Sequence, residues 1–149
     1  MRIVNSVLGD ARGGRWQVVC DYSRILVENG HEVLLLVNGR QQPDPQQLPA
    51  GVKVEPVRNH GHYDYLASWS LRRRLHKKVP DLVLAHCSRS VALLKRAAHG
   101  LAPVVAVSHS NKVKRLLPAD AYIALTQHIR EAIGREAGKP LSKPLCIVP

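Results

Sequence analysis

The residues best suited to chemistry in this chain sit in short polar segments between apolar runs. The first is Gly9-Asp10-Ala11-Arg12-Gly13-Gly14-Arg15, with three glycines and two arginines. Glycines between a strand and a helix let backbone N–H groups approach an anion, and the helix dipole favours negative charge there. Gly13-Gly14 beside Arg15 therefore suits a phosphate; the plain alternative is a tight turn with no ligand. The spacing is neither the dinucleotide fingerprint G-x-G-x-x-G nor a Walker A loop ending in Gly-Lys-Ser/Thr.

Two further segments, His86-Cys87-Ser88-Arg89 and Ser108-His109-Ser110-Asn111-Lys112, each follow an apolar run directly. A histidine at the mouth of a crevice can serve as general base or donate a hydrogen bond to a hydroxyl or carbonyl. It can equally be tied to a backbone carbonyl. Cys87 beside His86 is no nucleophile–base pair, because adjacent strand residues point to opposite faces. His60-Gly61-His62-Tyr63-Asp64 resembles half of an H-x-H-x-D-H metal motif, but Tyr65 stands where the last histidine belongs. Convergence of three or four ligands is missing, so no metal site is expected.

The elements that position these segments follow from periodicity. Apolar runs at 2–8, 32–37, 82–85, 103–107, 121–125 and 145–148 read as strands, and Val52 to Val57 as a further short strand. Helical spacing at 16–29, 64–78, 88–99 and 126–137 separates them, with Gly30 as a C-terminal cap, Pro80 as a stop and Thr126 as an N-cap. The loop QQPDPQQLPAG is marked by its prolines and amides. Such alternation predicts an α/β, Rossmann-like doubly wound domain with a mostly parallel sheet and helices on both faces. Ligands of open α/β sheets bind beyond the carboxyl ends of the strands. The polar segments all leave those ends.

At 149 residues the chain fits one domain, enough to bury roughly 70% of its unfolded surface. No apolar stretch approaches the roughly 20 residues of a membrane span, and the start does not read as a signal peptide. Cys20, Cys87 and Cys146 are odd in number and widely spaced, which suits neither disulfides nor zinc. A cytoplasmic location is expected. The net charge of +11 is the outlier. It attracts polyanions, whether phosphorylated ligands, anionic lipid or nucleic acid. The run Arg72-Arg73-Arg74-Leu75-His76-Lys77-Lys78 fits a membrane surface or a solvated helix face. Nucleic acid is disfavoured, because aromatics for base stacking are not interleaved with it.

Taken in order, these pieces resemble the N-terminal domain of GT-B glycosyltransferases of family 4 (group 1). MRIVNSVLGDARGGRWQVVCDYSRILVENGHEV is similar to that family's opening strand, Gly-Gly loop and helix ending in Gly-His-Glu-Val. PDLVLAHCSRS resembles its Pro-Asp segment ending in histidine, PVVAVSHS its strand ending in histidine, and ADAYIALTQHIREAI its later helix start. The resemblance implies a retaining transferase that moves a sugar from a nucleotide-sugar donor to a glycan, lipid-linked or phosphorylated acceptor. Cell-envelope polysaccharide or lipopolysaccharide synthesis is the implied setting.

By the same resemblance, His109 is the catalytic residue at the crevice, and Gly13, Gly14 and Arg15 approach the donor diphosphate or sugar. His86, Arg89, Asn111 and Lys112 line the acceptor side. Residues 1–149 would form the acceptor-side domain. A C-terminal nucleotide-sugar-binding domain would follow Pro149, and the isolated domain would not turn over. No permanently bound cofactor is implied, and the donor is a substrate. Peripheral association with the inner face of a membrane is a further expectation. The competing reading is a stand-alone module that binds a phosphorylated or polyanionic ligand without catalysis.

Overall fold

The structure, a computed structural model, describes residues 1–41, 44–138 and 142–148. Pro149, where the second domain is expected to follow, lies outside them. The elements run β1 (Arg2–Val7), α1 (Gly14–Glu28), β2 (Glu32–Asn38), β3 (Val52–Val57), α2 (Tyr65–Lys78), β4 (Leu82–Ala85), α3 (Ser88–Ala97), β5 (Val104–Ser108), β6 (Ala121–Ala124), α4 (Gln127–Ala137) and β7 (Leu145–Ile147). Short 3-10 turns occupy Pro45–Gln47 and Lys114–Leu116.

The strands form one sheet in the order β3-β2-β1-β4-β5-β6-β7, every pair parallel. The chain winds outward from β1 to β3, then returns over the sheet and winds the other way from β4. The order therefore reverses between β1 and β4, and the crevice for a ligand opens above their carboxyl ends.

Two apolar clusters hold the layers together. The larger joins Val4, Leu36, Val83 and Ala106 of the sheet to Leu71, Leu75, Val91, Leu94 and Ile133 of α2, α3 and α4. The smaller lies on the other face, where Val19 of α1 meets Val7, Leu35 and Val37. Helices thus cover both faces, as the continuous apolar strands require. Val105 and its register partner Ala121, together with Ile123, on the α1 side of β5 and β6, remain only half-buried.

Helix starts follow the sequence. Asp64 Oδ1 accepts the Ala67 N–H at 2.9 Å to cap α2, and Thr126 Oγ1 accepts the Ile129 N–H at 3.1 Å to cap α4. Part of the basic run is structural. Arg72 donates to the carbonyls of Ala97 and His99, while Arg74 and Lys78 pair with Glu55. Arg73 lies over the ring of exposed Trp69, 5.0 Å from its centroid.

Candidate active site

Gly13 is where β1 hands the chain to α1, and it takes φ 58°, ψ −130°, a conformation that L side chains rarely adopt. No side chain caps α1. The first N–H groups of the helix are therefore left to solvent or a ligand. Gly14 is different: its φ is ordinary, and a Cβ there would meet nothing within 4 Å. Neither backbone nor packing demands glycine at 14, so its effect is open space above a helix start. Arg15 reaches back to donate to the Asp10 carbonyl at 3.2 Å. Arg12 pairs with the Asp10 carboxylate at 3.3 Å, both side chains largely exposed.

The two predicted histidines are brought together, but not side by side at the mouth. Ala85 is the register partner of Ala106, which sets His86 level with Val107 and leaves His109 two residues further along. Both continue the face of the sheet that α1 covers. His109 accordingly lies over His86, with His86 Nδ1 3.0 Å from His109 Nε2. His86 is only 1% exposed, and it packs edge-on against the Tyr22 ring. It is a buried support beneath His109, where sequence reasoning set it open at the crevice. The cause is the strand stagger, which no single strand reveals.

The environment keeps both rings neutral. Burial lowers the His86 pKa well below its ordinary value, and a charge on His109 or Arg15 would lower it further. Burial, then the nearby Arg15 guanidinium, brings His109 down to about 4. His86 Nε2 is buried without a hydrogen-bond partner. An orphaned N–H costs more than an orphaned lone pair, so the arrangement favours a proton on His86 Nδ1 that is donated to His109. His109 then keeps its own proton on Nδ1, as a neutral hydrogen-bond donor.

The remaining predicted residues are dispersed. Half-buried Arg89 opens α3 and donates to Asn59 Oδ1 at 3.3 Å, across the ends of β4 and β3. Asn111 and Lys112 are exposed in the turn after β5. The Lys112 N–H points to Ser110 Oγ at 3.4 Å. Cys87 Sγ accepts from the N–H groups of Gly9 and Ser90, a structural role. In the His60–Asp64 segment, the Asp64 carboxylate accepts backbone N–H groups from Ala67 and His60, which lower its pKa. Among the described residues no three potential ligands converge on a metal position.

Sequence reasoning missed a pocket on the other side of the glycine loop. It has a volume of about 280 Å³, and its apolar floor is Val7 and Val37 at the ends of β1 and β2. Gln41 forms one wall, accepting the Ala11 N–H at 3.1 Å and donating to Asp10 Oδ1 at 2.5 Å. Trp16 of α1 forms another, its indole N–H donating to Gln47 Oε1 at 2.6 Å. Asp44 and Arg12 complete the rim. The signal was present as amides crowded around prolines, a pattern that also describes any polar loop.

A model of the family described as Glycosyltransferase Family 4 matches residues 12–149. No curated protein sequence matches the chain. Several solved structures share the fold. The apo lipopolysaccharide outer core galactosyltransferase WaaB is 14% identical with a TM-score of 0.67, over 93% of this chain and 43% of that one. MurG of Acinetobacter baumannii is 13% identical with a TM-score of 0.73, over 98% and 45%. HepE of Anabaena, solved with UDP and glucose, is 16% identical with a TM-score of 0.67, over 96% and 43%. The chain thus spans less than half the length of these proteins.

Proposed function

The chain belongs to Glycosyltransferase Family 4, and from that premise we propose that it is the acceptor-side, N-terminal domain of a retaining sugar transferase. The donor is a nucleotide-sugar, and the acceptor is a glycan, a lipid-linked sugar or a phosphorylated molecule of cell-envelope synthesis. The observation that carries this reading is the neutral His109, held from below by His86 and set near Arg15 at the uncapped start of α1.

In transfer, the bond between the sugar's anomeric carbon and the diphosphate breaks, a bond to an acceptor hydroxyl oxygen forms, and that hydroxyl's proton passes to the leaving diphosphate. Negative charge grows on the leaving diphosphate. Arg15 and the free N–H groups after Gly13 would stabilise that charge, with the clearance at Gly14 admitting the diphosphate or sugar. A neutral His109 donates a hydrogen bond to a sugar hydroxyl without placing a cation beside the electron-poor anomeric carbon. Arg89, Asn111 and Lys112 meet the acceptor from their turns. The nucleotide is held by a second domain following this one, and the domain alone does not turn over. The basic surface supports peripheral work at the inner face of an anionic membrane.

Substituting His109→Ala in the full-length protein and measuring sugar transfer tests this reading. A normal rate removes His109 from the mechanism. Retained binding of a phosphorylated ligand with no transfer by the unmodified protein would favour the non-catalytic binding module.

A further inference from the structure

A recess of basic character lies far from the histidine pair, between α2 and α3. Helix α3 links two parallel strands, so it starts beyond the carboxyl end of β4 and runs back. His99, just past its last turn, therefore sits at the opposite end of the sheet from His109. There Arg72 of α2 meets Lys95, Arg96 and His99 around a cavity of about 570 Å³. We propose that this cavity binds a phosphate monoester group, at a site separate from the transfer chemistry.

The argument starts from which cations have counter-charges. Arg74 and Lys78 pair with Glu55, and Lys95 pairs with Asp120 at 2.6 Å. Arg72 and Arg96 are half-buried too, yet among the described residues neither meets a carboxylate. Arg72 donates to the carbonyls of Ala97 and His99, and Arg96 to Ser68 Oγ and the His62 carbonyl. These neutral acceptors orient both guanidiniums without cancelling their charge. The carbonyl end of α3 offsets only roughly half a unit of it.

Two half-buried cations, held in place and lacking a counter-ion, suit a compact dianion. A phosphate monoester carries about −1.5 to −2 near pH 7 and presents three acceptor oxygens. Guanidinium forks match such oxygens in pairs. A carboxylate brings one charge and would leave the other guanidinium uncompensated. Asp120, in the adjoining recess, does not oppose the ligand, because Lys95 and the Val104 N–H already face it. The volume falls within the roughly 300–1,000 Å³ of small-molecule sites. Ala92 and Pro118 give the organic part of the ligand an apolar side.

The test titrates the full-length protein with inorganic phosphate and glucose 6-phosphate by calorimetry, with glucose as the uncharged control. Phosphatidylcholine vesicles with and without phosphatidic acid, read by sedimentation, present the same group on a lipid headgroup. One of these sources should bind saturably. Arg72→Ala should weaken it about tenfold, the scale of losing a hydrogen bond to a charged group. His99 is exposed, so His99→Glu sets a carboxylate in the cavity without disturbing the core, and should weaken binding as much. Lys77→Gln makes a comparable change in net charge beside Trp69 and Arg73, and should leave binding within about twofold. Binding of the soluble phosphates assigns a free ligand, and binding confined to phosphatidic acid vesicles assigns a headgroup. Binding of neither overturns the proposal. So does binding that survives His99→Glu unchanged or falls equally with Lys77→Gln. Loss with Arg15→Gln alone would overturn it too, by placing the phosphate at the start of α1. None of these outcomes bears on the His109 transfer test.

Discussion

The two sides of the glycine loop are built by opposite means. On the β4–β5 side, His86 is sealed under His109 by the sheet and by Tyr22, and one of its nitrogens has no partner at all. On the β1–β2 side, the walls are Gln41, hydrogen-bonded to Ala11 and Asp10, and Trp16, hydrogen-bonded to Gln47, all near solvent. The first arrangement fixes protonation, because a ring in low dielectric beside Arg15 cannot readily take up a proton. The second leaves protonation alone and fixes the outline of a pocket. Groups that must hold a charge state belong in the core; groups that must match a shape can be held at the surface.

The sharpest way to break this contrast is kinetic. His109→Ala should lower the transfer rate of the full-length protein by about a hundredfold, the scale of losing one donor aimed at a polar reacting centre. Gln41→Ala, on the other side of the glycine loop, should leave kcat within about threefold. Equal losses in kcat would erase the distinction.

Stability supplies the next test. His86→Ala removes a buried ring and its hydrogen bond, and should lower the unfolding free energy by about 2–4 kcal/mol in urea melts. Gln41→Ala should cost about 1 kcal/mol or less. Similar values would mean that the clasped side is as deeply built as the buried one.

A third test is pH. Both histidines have folded pKa values below those of the unfolded chain, His109 at about 4. Above the unfolded value of about 6.5 neither state binds these protons. As pH falls below it, the unfolded chain takes them up first, so their effect is a loss of stability that deepens down to about pH 4 for His109. Thermal melts between pH 7.5 and 4.5 should fall accordingly, and His109→Gln should flatten the curve. An unchanged slope in that variant would contradict the assigned depression.

The smallest expected effect on stability is at Gly14, set against Gly13. Gly13→Ala forces a side chain into a conformation it rarely adopts and should cost about 1–3 kcal/mol. Gly14→Ala should leave the melting curve nearly unchanged, because a Cβ there meets nothing, while raising the donor KM. A silent Gly14→Ala in kinetics would mean that the space above α1 is unused.

Much of the fold was legible because it rests on local signals. The strand at 82–85, the N-cap at Thr126 and the helix ends just before Gly30 and Pro80, where Asn29 and Val79 are the C-caps, follow from apolar runs, side-chain oxygens and backbone limits. What was not legible depends on pairing between distant segments. The hydrogen bond between His86 and His109 comes from Ala85 lying opposite Ala106, a register that neither strand specifies alone. Gln41 and Gln47 were hidden for a related reason. Their partners, Ala11, Asp10 and Trp16, lie about thirty residues earlier, |i−j| being 30 or 31. Arg72, Arg74 and Lys78 read as surface charge, yet their partners lie on α3, β3 and the turn after α3.

Gln41, Asp44 and Gln47 lie between β2 and β3 and outside the sheet. Their hydrogen bonds can be redrawn while every rung of the parallel ladder stays in place. A lineage could vary these few positions and leave the charge-controlling histidines untouched. A protein engineer has the same freedom: a small library at 41, 44 and 47 reshapes the pocket with little risk to folding.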